Sequence, residues 1–95
     1  MCTMIAEQAP ITGSGKGTPG WIKVNKVNVS YDHPTHMTIE HALNIDFVNE
    51  SQGLGARVAV ELTRESARQL VELIGVALER GAEVDGAELV PAADL

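Results

Sequence analysis

The hydrophobic repeat of this sequence changes once, from two to 3.6 residues, near Thr63, and that change limits what the chain can fold into. Before it, Ile39, Leu43, Ile45 and Phe47 share one parity, while Glu40, Asn44 and Asp46 share the other. Residues 57–62 repeat the alternation, with Val58, Val60 and Leu62 inward and Arg57 and Glu61 outward. Both stretches, 39–49 and 57–62, read as half-buried strands joined by a hairpin connection that holds Gly53 and Gly55. Residues 21–31 also alternate, but Ile22 and Val24 hold one parity and Val27, Val29 and Tyr31 the other. A β-bulge at Asn25 and Lys26 would turn the side chains over. Residues 3–6 are expected to form a short first strand. Residues 10–20 hold four glycines and two prolines in eleven positions and read as a loop.

After Thr63, a suitable N-cap, the positions Ala67, Leu70, Val71, Ile74 and Leu78 follow helical spacing. This predicts a helix over 64–80 with Gly81 as its C′ residue, and an acidic flexible tail over 82–95. The expected fold class is therefore α+β. It is a small antiparallel β-meander of three to four strands with one C-terminal helix packed on one face, a single domain over 1–81. One helix covers one face of such a sheet, so burial of Val24, Val27 and Val29 calls for a homodimer.

Composition narrows the partners. Valine, isoleucine and leucine supply 24 of 95 residues, a globular content in a chain close to the lower size limit for independent folding. Seven basic against thirteen acidic side chains give a net charge of −6, which leaves no basic surface for nucleic acid. The single cysteine, Cys2, rules out an internal disulfide framework. No apolar run approaches the ~18 residues of a membrane span, and no signal-peptide pattern opens the chain. The expectation is a cytoplasmic protein without membrane or nucleic-acid partners, acting on a small-molecule ligand.

That last expectation comes from the histidines. His33, His36 and His41, all three in the chain, fall within nine residues, interleaved with Glu40 and preceded by Tyr31 and Asp32. Histidine titrates near neutral pH, and a neighbouring carboxylate can fix its tautomer. The first reading is cofactor-free acid–base catalysis of the isomerase, cyclase, dehydratase or lyase type. In it His41 acts as base or acid, His33 and His36 assist, Asp32 orients a histidine, and Tyr31 donates to a developing oxyanion. The alternative is a divalent transition metal held by His33, His36, His41 and Glu40, catalytic or not. The plain alternative is that the histidines and Asp32 satisfy turns, in a structural or interaction protein without a site. Asn44 and Asp46 either meet solvent or line a second, dimer-side cavity.

Two other features carry less. Gly13-Ser14-Gly15-Lys16-Gly17 lacks the Ser/Thr after lysine and the following helix that a phosphate loop requires. Cys2 would become an N-terminal nucleophile if Met1 were removed, but also suits a small buried position. Taken together, Met1-Cys2-Thr3, the glycine run, Gly20-Trp21, Tyr31-Asp32-His33-Pro34-x-His36, the string from Glu40-His41-Ala42-Leu43-Asn44 to Glu50, and Gly55-Ala56-Arg57 to Leu62 resemble an uncharacterised family of short bacterial proteins. The resemblance runs nearly to the helix end. It implies a free-standing protein and carries over no catalytic residue, cofactor or substrate.

Overall fold

A computed structural model describes residues 5–53 and 55–86, in a sheet unit and a helical unit that divide at Arg64. The sheet holds β1 (Ile5–Gly17), β2 (Gly20–Asp32), β3 (Ala42–Val48) and β4 (Arg57–Leu62). Their order is β1-β2-β3-β4 and every neighbouring pair is antiparallel, the expected meander. One helix, α1 (Arg64–Asp85), follows. No helix among the described residues is long and apolar enough to cross a membrane. Cys2, the Thr3 and Met4 of the expected first strand, and residues 87–95 of the expected tail lie outside the described residues.

Register explains the two faces. Tyr31, Leu43 and Leu62 stand directly across from one another, as do Val29, Ile45 and Val60, and then Val27, Phe47 and Val58. Directly opposed residues project to the same side, so these three rows build one apolar face. The intervening rows build a polar face: Ser30, Asn44 and Glu61; Asn28, Asp46 and Ala59; Lys26, Val48 and Arg57. On this face the Arg57 guanidinium clasps the Asp46 carboxylate, Nε to Oδ1 at 3.1 Å and the second nitrogen to Oδ2 at 2.6 Å.

The glycine-rich segment is not a loop. It continues β1 to Gly17, and Thr18-Pro19 forms a two-residue turn to Gly20, whose φ of +118° suits glycine. The bulge lies at the expected level, but its extra residue is on β1: Pro10 faces Lys26 and Gly13 faces Val24. Proline is tolerated there because β1 is an edge strand. Beyond the bulge β1 passes close to β4. A Cβ added at Gly15 would stand 3.0 Å from Val58 Cγ2 and 3.6 Å from Val24 Cγ1, and one at Gly17 would stand 3.2 Å from the Arg57 carbonyl oxygen. Composition suggested a loop because glycine weakens a strand. Here the missing side chains are what let the strand approach its neighbour.

Three further boundaries differ from expectation. β3 begins at Ala42 rather than Ile39, which leaves Ile39, Glu40 and His41 in the connection from β2. The β3–β4 connection contains a 3₁₀ turn, Glu50–Gln52, capped by the buried Asn49. Asn49 Oδ1 accepts from the Ser51 backbone at 3.1 Å, the Ser51 hydroxyl at 2.6 Å and Asn25 Nδ2 at 3.3 Å, tying the turn to β2. Finally, α1 runs through Gly81 and stops at Asp85, where Gly86 takes the left-handed φ of +67°. A glycine inside a helix weakens it by about 1 kcal/mol without ending it. Taken by itself α1 holds no buried residue, with Val71 69% and Leu78 67% exposed.

The β1–β4 approach predicts an asymmetry between two glycines. Gly15→Ala lowers stability by about 1 kcal/mol or more, because stiff Val58 must give way. Gly13→Ala, whose methyl meets Val24 Cγ2 at an ordinary 3.6 Å, changes it far less. Urea midpoints measure both; equal tolerance would contradict the crossing.

Candidate functional site

The nine-residue connection between β2 and β3 carries all three histidines and is fastened at both ends. At its start Asp32 Oδ1 accepts the N–H of the next residue, His33, at 2.7 Å, and Pro34 restricts the backbone of His33. In its middle the Glu61 carboxylate takes Thr35 N–H at 2.7 Å, the Thr35 hydroxyl at 2.8 Å and His36 N–H at 2.9 Å. Toward its end the carbonyl oxygen of Glu40 meets His33 Nδ1 at 2.9 Å.

These bonds set ring protonation. A carbonyl oxygen only accepts, so His33 Nδ1 carries the proton, and neutral His33 leaves Nε2 as its basic nitrogen. Thr35 spends its single O–H on Glu61. Its oxygen therefore accepts from His36 Nδ1 at 2.9 Å, and neutral His36 likewise leaves Nε2 open. His41 makes a different contact: its ring lies 5.0 Å from the His33 ring and 5.8 Å from Tyr31, with both pairs inclined by 30°. His41 thus stands as a spacer between Tyr31 and His33.

The connection overhangs the polar face and closes one side of an open cleft of about 890 Å³. His33, His36 and Glu61 line one end, and Asn44, Asp46 and Arg57 line the floor. Asn44 Nδ2 donates to Ser30 Oγ at 3.4 Å and to the Ala42 carbonyl at 3.5 Å, while its Oδ1 is buried with no partner. A smaller cleft of about 460 Å³ shares Asn28, Asp46 and Arg57 and extends toward Glu50. Lys26 pairs with Glu50 there at 3.1 Å.

The sequence-derived candidates are thereby sorted. His33 and His36 line the cleft; His41 and Tyr31 stack beside it. Asp32 holds backbone rather than an imidazole, and Glu40 acts through its carbonyl oxygen. Among the described residues no three His, Cys, Asp or Glu side chains gather as a metal-binding group, although the rings of His33 and His41 stand 5.0 Å apart. Asn44 and Asp46 line the same open cleft as His33 and His36. Glu61 and Thr35 escaped the sequence reading. Glu61 looked like any outward residue of an alternating strand, and only the pairing of Ser30, Asn44 and Glu61 across three strands brings it under the histidines.

Glu61 also gives the site an acid limit. Its carboxyl is held below the ordinary carboxylate value by the Thr35 backbone N–H first and the Thr35 hydroxyl next. Partial desolvation opposes this, and the His36 N–H and the His36 charge add to it. A carboxyl lowered in the folded state contributes stability that is present above its unfolded value and lost as pH falls through its folded value. Amide-exchange protection at Thr35 and His36 should therefore hold at neutral pH and disappear on acidification below the ordinary carboxylate range. Protection that stays flat through that range, or survives Glu61→Ala, would contradict the fastening.

No curated protein and no solved structure matches the chain. A family model does, over residues 1–88, and it agrees with the resemblance seen in the sequence. The chain belongs to that family, one of unknown function designated DUF6295.

Proposed function

We propose that this protein binds a small polar molecule in the cleft of its polar face and transfers a proton to or from it through His33. The observation that carries this reading is the bond from His33 Nδ1 to the Glu40 carbonyl oxygen at 2.9 Å, with His33 in the cleft wall. A fixed N–H on one side of the ring makes the other nitrogen a defined proton acceptor, the arrangement that general acid–base catalysis needs. The neighbouring groups suit a polar ligand. His36 offers a second ring nitrogen, and the Arg57–Asp46 pair offers remaining donor and acceptor positions. His41 serves as a positioning residue through its stack on His33. Reactions needing only proton movement, such as isomerisation, cyclisation, dehydration or lyase-type elimination, fall within its reach.

One observation favours a second reading. Metal-bound histidines usually donate their other ring N–H to an oxygen, and His33 and His36 both do so. Two such nitrogens with waters would make a weak divalent transition-metal site. The first reading is preferred because no third ligand joins them among the described residues.

We also infer that the protein works as a homodimer. Among the described residues only Val24, Ala42 and Ala56 are buried apolar side chains, and none is large. A stable fold of this size needs more apolar burial than that.

Equilibrium dialysis of the protein against a small-molecule cell extract, read by mass spectrometry, tests the site. The wild type enriches a polar compound, and His33→Ala lowers that enrichment or its conversion by about 100-fold, the scale of one general base. His41→Phe, which keeps a stacking ring, retains most of it. No enriched compound, or equal activity in His33→Ala, would overturn the proposal. Loss in His41→Phe with retention in His33→Ala would return the proton-transfer role to His41. Stabilisation by zinc that His33→Ala abolishes would favour the second reading.

A further inference from the structure

The site leaves α1 unused. At 3.6 residues per turn, Leu70, Val71, Leu73, Ile74, Leu78 and Val84 fall within about half of the helix circumference. Glu65, Glu72, Glu79 and Glu83 fall opposite. None of α1 is buried, and Leu73 is 62% exposed. A lipid surface is a poor match for this helix, because it carries five acids against three arginines along its length, whereas interfacial helices are basic.

Charge along the axis selects the occupant. The first five residues hold Arg64 and Arg68 against Glu65, a net of +1 (2 − 1). From Glu72 onward there are Glu72, Glu79, Glu83 and Asp85 against Arg80, a net of −3 (1 − 4). Two copies laid parallel would set −3 beside −3. Laid antiparallel, each basic start meets an acidic end, and the helix dipoles also oppose favourably. We propose that α1 forms the homodimer contact by packing its apolar side against α1 of a second copy, in antiparallel orientation. This rests on the homodimer reading above and adds its surface and direction. Ile74 lies at the middle of the 22-residue helix, so it meets its own counterpart near the crossing, whereas Ala67 and its counterpart lie at opposite ends.

The test uses the full chain in a Cys2→Ser background. Light scattering at micromolar concentration gives twice the chain mass of 10.1 kDa for the wild type. Val71→Glu weakens association by at least about tenfold, since an unpaired charge is buried in the contact, and leaves the amide spectrum of the sheet unchanged. Oxidation cross-links Ile74→Cys to itself and leaves Ala67→Cys uncross-linked. A monomeric wild type would overturn the homodimer reading and this proposal with it. A dimer insensitive to Val71→Glu, without the Ile74→Cys cross-link, would overturn the α1 contact alone. Equal cross-linking at both positions would overturn the antiparallel direction.

Discussion

Three hydrogen bonds converge on the Glu61 carboxylate, and through them the last strand of the sheet holds a connection made between the second and third. The rest of the site depends on this. With Thr35 and His36 anchored, the connection can turn back so that the Glu40 carbonyl oxygen reaches His33 Nδ1. The same anchor uses the Thr35 hydroxyl, which in turn settles where the proton of His36 sits. A charged acceptor does this better than a neutral one, because hydrogen bonds to an ionised oxygen are about twice as strong. It also links the site to pH through a group that is not itself an imidazole.

The sheet supplies the platform by separating its two sides cleanly. Rows of valine, isoleucine, leucine and phenylalanine occupy one face, and rows carrying asparagine, aspartate, arginine and glutamate occupy the other. The polar rows would be an ordinary solvated face but for the histidine connection, which gives them a wall and makes a cleft. The glycines of β1 let it approach Val24 and Val58. Among the described residues, few apolar side chains are buried.

How much of this the sequence reveals follows from which signals are local. Alternation is local, so β3, β4, the inward set Val58, Val60 and Leu62, and the start of α1 are legible in it. The level of the bulge is also legible from the parity change after Val24, although not the strand that bears it. The β1 strand is hidden because its glycines answer a contact with β4 some forty residues away. Gly81 misleads because a glycine can sit within a helix as well as after one; Gly86, with positive φ, is the true stop. Histidine clustering marks the segment that walls the cleft. The expected orientation of His41 rests on a strand beginning at Ile39, and with β3 beginning at Ala42 the rings that line the cleft are those of His33 and His36. Glu61 is invisible in one dimension, since its partners lie 25 and 26 positions away.

The chemistry proposed for the cleft turns on the protonation of one ring. Long-range proton–nitrogen NMR of the histidine side chains, at a pH where they are neutral, reads this directly. The predicted result is a His33 spectrum of the Nδ1–H form, with Nε2 showing the shift of an unprotonated nitrogen. A His33 spectrum of the Nε2–H form, or of two tautomers in free exchange, would mean that the Glu40 carbonyl oxygen does not hold the ring, and would contradict the central claim.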